Sequence, residues 1–186
     1  MSYNTRTVLT YILGALIYAI SFLLCFLVLG FTGMTVVSVL TTGILITISL
    51  IDLNTTTIPN WLVIALIPLS LSTIWLQPDI YLWSRILGFF AISLPMLLAT
   101  LALSGAFGGG DIKLMAVCGF LLGWQNILVA FFIASIIGGG FAMYLMVTGK
   151  KKRGEHMVFG PALAVGVFVA LLFGAEVLGW YLYGVM

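Results

Sequence analysis

The chain has 186 residues and a net charge of +2, and hydrophobic residues make up 63% of it against 6% for charged residues. Soluble domains carry about 25% charged residues, so this composition excludes a water-facing surface and indicates an integral membrane protein. No polar block is long enough to fold separately in water, which predicts one transmembrane domain over residues 1–186. Cys25 and Cys118 are isolated in apolar runs and His156 is the single histidine, so we expect no metal and no cofactor.

The apolar segments predict an all-α polytopic membrane protein. A segment needs about 17–25 apolar residues to cross the hydrocarbon core. Seven helices are predicted in chain order: Val8–Leu29, Met34–Ile51, Pro59–Leu76, Trp83–Leu103, Ile112–Leu122, Asn126–Val147 and Val158–Tyr183. The fifth is too short to cross fully at about 1.5 Å per residue. A six-helix alternative therefore treats Ile112–Val147 as one bent or re-entrant element.

The basic residues predict the orientation. Lys150–Arg153 form the densest positive cluster, and such clusters stay in the cytoplasm. In the seven-helix prediction six helices precede this loop, and counting back through them places the N-terminus, including Arg6, in the cytoplasm and leaves Arg85 as the one basic residue outside. Asp52 and Asp111 then lie at the same cytoplasmic face, although they are far apart in sequence. Asp79 and Glu176 fall towards the opposite face, and Glu155 lies in the basic loop.

Asp52 and Asp111 each lie at the edge of an apolar run, which allows two interpretations. Either aspartate alone could be a hydrated residue that marks the membrane interface. Together, two aspartates close in space can share a proton, so that one activates water while the other protonates the carbonyl oxygen or the leaving nitrogen of an amide. Asp111 begins a helix and Asp52 ends one, and the helix dipole favours negative charge only at the first position. This difference favours Asp111 as the base and Asp52 as the proton carrier.

Two glycine triplets accompany these acids. Gly108–Gly110 immediately precede Asp111, and the absence of side chains would let a backbone or an extended substrate approach closely. The alternative is a flexible turn or close helix packing. Gly138–Gly140 have no charged neighbour, and we expect them to serve packing.

Three motifs carry a family resemblance. The segment "GGGDIKLMAVCGFLLGWQ", from Gly108, resembles the second active-site segment of the type IV prepilin peptidases, which are membrane-embedded GxGD aspartic proteases. The segment "IDLNTTTIPNWL", from Ile51, is similar to their first active-site segment, in which the aspartate is followed by I-P-N or L-P-D. "FGPALAVG", from Phe159, is similar to the segment that opens their last helix. The three occur in the family's order.

The resemblance implies a specific activity at specific residues. Family members remove the short basic leader of prepilins and pseudopilins at the cytoplasmic face, after a glycine and before the hydrophobic helix. Asp52 and Asp111 would be the catalytic pair. The motifs also contain seven residues expected to support the site: Gly108, Gly110, Lys113, Pro59, Asn60, Gly160 and Pro161. Lys113 could tune the catalytic pair or act only as an orientation charge, and Gly160-Pro161 could simply begin a helix.

The resemblance also implies partners and a location. The expected partners are a prepilin leader with its following helix and the membrane lipids, and no nucleic acid. The expected location is a bacterial or archaeal plasma or inner membrane. Larger family members also methylate the new N-terminus and carry an inserted cytosolic segment with paired cysteines. This sequence shows neither insertion nor CxxC, so we expect no methyltransferase activity. The first two motifs resemble the minimal peptidases of tight-adherence pili, and the third resembles the larger group.

Two other functions remain open at this point. A signal-peptide-peptidase type of protease also uses GxGD, but such enzymes usually have Tyr before the first aspartate, where this chain has Ile51. A small transporter or assembly subunit could instead use the carboxylates to handle protons or cations.

Overall fold

The computed structural model describes residues 2–102, 107–148 and 158–184, and its secondary structure there is entirely helical. The helices are α1 (Ser2–Leu29), α2 (Gly33–Thr55), α3 (Asn60–Leu76), α4 (Leu82–Ala91), α5 (Ser93–Ala102), α6 (Gly109–Val147) and α7 (Gly160–Tyr183). Within these ranges, five helical stretches are long and apolar enough to cross a membrane, and α3 is a shorter apolar helix. The prediction of an all-α polytopic membrane protein is confirmed. The number of crossings and the cytoplasmic N-terminus stay predictions.

The predicted helix Trp83–Leu103 is broken near its middle. It forms two short helices, α4 and α5, that are separated at Ile92. Pro95 explains the break, because proline has no N–H to donate to the carbonyl of Ala91 and its ring clashes with that carbonyl. The predicted apolar segment is present as one stretch, Leu82–Ala102, and the break at Ile92 is a feature that the prediction did not include.

The long helix α6 reverses direction at Gly123. The backbone there has φ 79° and ψ 168°, a conformation that glycine adopts readily and side-chain-bearing residues rarely do. We refer to residues 109–122 as the first arm of α6 and to residues 124–147 as the second arm. The first arm starts beside the α2–α3 turn and ends beside the α3–α4 connection, where Gly123 faces Ile80 and Ser84.

The second arm of α6 packs along α7 as the chain runs back towards the end where α6 began. The contacts occur in antiparallel order: Asn126 with Gly174, Ala130 with Gly166, and Gly138 with Phe159 and Ala162. The predicted fifth and sixth helices are thus two antiparallel arms joined through one residue.

Glycines let the helices cross at close range. A Cβ atom built on Gly88 of α4 would lie 2.2 Å from the carbonyl oxygen of Gly119 in the first arm, and one built on Gly119 would lie 2.1 Å from that of Gly88. A Cβ on Gly166 of α7 would lie 2.2 Å from the carbonyl oxygen of Ala130 in the second arm. Small residues at such crossings allow helix backbones to approach in lipid, where there is no hydrophobic drive to pack helices together. Among the described residues, Gly138 is the member of the second triplet that packs in this way, because a Cβ on Gly139 or Gly140 would meet none of their atoms within 4 Å.

Arg85 is a buried cation at the end of the bundle where α3 and the first arm finish. Its side chain is fully buried and donates to five oxygen atoms: Thr73 Oγ1 and the carbonyl oxygens of Thr73, Gln77, Phe120 and Leu121. Most of these carbonyls belong to the last turns of α3 and the first arm, where the helix dipole favours a positive charge. Arg85 thus joins two helix C-termini, a role that the sequence did not indicate.

Candidate active site

Four helix ends meet at one end of the bundle, which we call the aspartate end: the C-terminus of α2 and the N-termini of α3, α6 and α7. Asp52 lies in the last turn of α2, and Asp111 lies in the first turn of α6. Asp52 is 5% exposed and Asp111 is 9% exposed. The structure therefore brings the two predicted catalytic residues to the same end, and it buries both, which the sequence did not predict.

The Asp111 carboxylate is held by the start of its own helix. Gly108 is the residue before α6, and its backbone N–H donates to Asp111 Oδ2 at 3.2 Å. The backbone N–H groups at a helix N-terminus have no partner within the helix, so a carboxylate three residues along satisfies one of them. Gly108 thus contacts the aspartate through its backbone.

The Asp52 carboxylate is held by the start of a different helix. The backbone N–H of Gly160, the first residue of α7, donates to Asp52 Oδ2 at 2.9 Å. A Cβ atom on Gly160 would lie 2.6 Å from the same oxygen, closer than real Cβ contacts. Gly160 therefore permits this approach because it has no side chain. Pro161 occupies the first turn of α7, as the simpler interpretation of this pair predicts, but Gly160 also contacts the site.

The hydrogen bond between α7 and Asp52 makes the electrostatic surroundings of the two aspartates similar. The position of each aspartate in its own helix therefore no longer distinguishes a base from a proton carrier. Asp52 ends α2, but it also faces the N-terminus of α7. Both carboxylates therefore accept a hydrogen bond from an N–H at a helix N-terminus, where the dipole favours negative charge. Which aspartate acts as the base stays untested.

The first turn of α6 rests on the turn between α2 and α3. A Cβ atom on Gly110 would lie 2.7 Å from the Cβ of Ile58, so this glycine allows the two segments to touch. One turn further along α6, Lys113 Nζ donates to Asn60 Oδ1 at 3.0 Å. Pro59 immediately precedes α3 and holds an extended backbone there. The motif residues thus connect the segment that carries Asp52 to the helix that carries Asp111.

An aromatic pair joins α6 to α7 at the same end. The rings of Phe107 and Phe159 pack edge to face with their centroids 5.8 Å apart. Phe107, which precedes the glycine triplet, was not among the residues expected to support the site. The available signal was a phenylalanine directly before Gly108 and another directly before Gly160.

The remaining acids and bases lie elsewhere. Asp79 is exposed in the α3–α4 connection, and Glu176 is exposed near the end of α7. The predicted basic cluster Lys150–Arg153, with Glu155 and His156, lies outside the described residues. In the ranges that the structure does describe, no three His, Cys, Asp or Glu side chains cluster as metal ligands would.

Comparison with known proteins identifies the family. The model of the type IV leader peptidase family matches residues 39–143, more than half of the chain and inclusive of Asp52 and Asp111. The chain belongs to this family. The resemblance drawn from the three motifs is therefore confirmed, and the "FGPALAVG" motif lies beyond the matched region.

Curated relatives agree with this assignment. Each of the three that follow is named prepilin leader peptidase/N-methyltransferase. The Bacillus subtilis protein is 31% identical over 140 residues, which cover 75% of this chain and 56% of the relative. The Aeromonas salmonicida protein is 29% identical over 153 residues, which cover 80% and 53%. The Pseudomonas aeruginosa protein is 28% identical over 158 residues, which cover 82% and 54%.

The chain thus spans about half the length of the curated relatives that it matches. No solved structure gave a match to it.

Proposed function

We propose that this protein is an aspartic endopeptidase that removes the leader peptide of prepilins or prepilin-like proteins, with Asp52 and Asp111 as its catalytic pair. The observation that carries the proposal is the burial of both aspartates at one end of the bundle, each beside a helix N-terminus. Membership of the type IV leader peptidase family favours this function over a transporter or an assembly subunit. It also favours it over a protease of the signal-peptide-peptidase type.

The chemistry needs one ionised and one protonated carboxyl group. The ionised aspartate takes a proton from a water molecule, whose oxygen attacks the carbonyl carbon of the scissile amide. The protonated aspartate donates its proton to the carbonyl oxygen, which gives a neutral tetrahedral diol. When the C–N bond breaks, the leaving nitrogen receives a proton from the first aspartate and a hydroxyl proton returns to the second. The pair is then restored, without a covalent intermediate.

The proposal places the aspartate end at the cytoplasmic face of a bacterial or archaeal plasma membrane. Lys113 is exposed at this end, and the predicted orientation puts the basic loop on the same side. We propose that this chain cleaves without methylating the new N-terminus, because the sequence contains no CxxC pair of the kind expected in the larger, bifunctional members.

The test is cleavage of prepilins by matched aspartate variants. The wild-type chain, in proteoliposomes, is given a panel of tagged prepilins with a basic leader that ends in glycine before a hydrophobic helix. We expect cleavage at that glycine, and a loss of about 10²–10⁴-fold or more in Asp52→Asn and in Asp111→Asn, because each removes one proton-transfer group. Asp79→Asn is the control acid and should cleave like the wild type.

Thermal melting of all four proteins shows whether the variants are folded. Cleavage that persists in either site variant would exclude the catalytic pair. A wild-type chain that cleaves no member of the panel would count against the prepilin substrate.

A further inference from the structure

One polar contact in the candidate site is not used by the proposed cleavage mechanism. Lys113 Nζ donates to Asn60 Oδ1 at 3.0 Å, between residues that are 53 positions apart. Both side chains are exposed. Lys113 follows Asp111 by two residues, and Asn60 begins α3, directly after the turn that follows Asp52. The bond therefore joins the two chain segments that carry the catalytic pair.

Lys113 occupies a position that helix stability does not explain. It lies near the N-terminus of α6, and its partner lies at the N-terminus of α3. Both helix ends carry partial positive charge, so a cation there is electrostatically unfavourable. A lysine that serves only α6 would be better placed in the last turn of that helix. Its position is explained if the ammonium group has to reach Asn60.

The hydrogen bond between Lys113 and Asn60 also restrains the N-terminal turn of α6. Terminal turns open more readily than helix interiors. Gly110 rests on Ile58 on one side of Asp111, and Lys113 reaches Asn60 on the other. Asp111 therefore lies between two attachments of α6 to the α2–α3 turn. A charge-assisted hydrogen bond fixes direction as well as distance, which a contact between apolar groups does not.

We infer that Lys113 and Asn60 form a positioning pair, which sets the place of the Asp111 carboxylate relative to Asp52 for the cleavage reaction. The inference rests on the proposed function. Neither residue is assigned a contact with the substrate or a proton transfer. The pair acts through the first turn of α6.

The test is a double-mutant cycle on prepilin cleavage. Lys113→Met and Asn60→Ala should each lower kcat by about 10- to 100-fold, because a misplacement of about 1 Å at reacting groups has effects of this size. KM should stay unchanged, since substrate binding does not use the pair. The double variant should be no slower than the slower single variant, because the two side chains form one interaction.

Three further variants separate positioning from other roles. Asn60→Asp keeps an acceptor oxygen for Lys113 and should restore most of the rate. Lys113→Arg keeps the charge for membrane orientation and should retain part of the rate through its own donors. Asn54→Ala is the control, because Asn54 is exposed nearby and, within the described part of the chain, its side chain donates to the carbonyl of Leu50 in its own helix. Since the pair is exposed, the melting temperature of each variant should fall by no more than about 4 °C.

The results can overturn the inference without touching the proposed function. Rate losses that multiply in the double variant would show that Lys113 and Asn60 act independently. A rise in KM with kcat unchanged would mean that they bind substrate instead. If Asn60→Ala cleaves at the wild-type rate and Lys113→Met inserts in the wrong orientation, then Lys113 serves only to orient the chain in the membrane. Active Asp52→Asn and Asp111→Asn proteins, by contrast, would remove the catalytic pair itself.

Discussion

Gly160→Ala changes the candidate site by one methyl group. The added Cβ would lie 2.6 Å from Asp52 Oδ2, 3.0 Å from its Cγ and 3.2 Å from its Cβ. Ordinary contact begins near 3.4 Å, so the carboxylate and the start of α7 must separate by about 0.8 Å. The hydrogen bond from Gly160 N–H, now 2.9 Å long, would be stretched or lost by that movement.

We expect the cleavage rate of Gly160→Ala to fall by about 100-fold, since displacement of a reacting group by about 1 Å has this effect. The free energy of unfolding should fall by only about 1–3 kcal/mol, as is typical when one methyl group is forced into a packed contact. The assay is the initial rate of prepilin cleavage in proteoliposomes, alongside a thermal melt of the same preparation.

Gly179→Ala is the matched control, because it makes the same change in the same helix at a position where a Cβ would meet no atom of the described part of the chain within 4 Å. It should cleave at the wild-type rate. If Gly160→Ala also cleaves at that rate, then the contact between α7 and Asp52 does not set the geometry of the site.

Two predictions concern the rest of the molecule. Arg85→Leu should lower the free energy of unfolding by about 2–5 kcal/mol, because it removes the buried donor for five oxygen atoms, and Arg85→Lys should recover only part of this in thermal melts. An unchanged melting temperature in Arg85→Leu would contradict the anchoring role. For orientation, Thr57→Cys should react with a membrane-impermeant maleimide only in inverted vesicles, and Asp79→Cys only in intact cells. Cys25 and Cys118 are buried and should stay unlabelled, whereas the reverse labelling pattern would place the aspartate end outside the cell.

Local sequence chemistry predicted part of the candidate site, and packing between distant segments supplied the rest. Asp111 and its glycines were visible because a helix start with a carboxylate in its first turn is a local pattern. The partner of Asp52 was not visible, because the N–H of Gly160 is 108 residues away and belongs to another helix. The assignment of Asp111 as the base and Asp52 as the proton carrier has the same weakness. It was based on the helix that carries each aspartate and did not include the neighbouring helix α7.

Helix boundaries show the same division. α3 begins and ends within one residue of its prediction, because lipid requires a spanning backbone to satisfy its own hydrogen bonds and apolar length marks where it does so. α2 begins within one residue of its prediction but continues past the predicted end at Ile51 to Thr55. The break at Ile92 was missed although Pro95 was visible, because apolar length alone does not separate a kinked helix from a straight one.

The sequence by itself determined that the chain lies in a membrane, that it is helical, and that two carboxylates lie at the edges of apolar runs in family motifs. These properties follow from composition and from the length of each segment. Only the tertiary structure decided that Gly160 touches Asp52, that Lys113 reaches Asn60, and that Arg85 joins two helix ends. Such contacts depend on how each helix is rotated and on which neighbour it meets. The average hydrophobicity of a segment is the same for every rotation, so it contains no information about them.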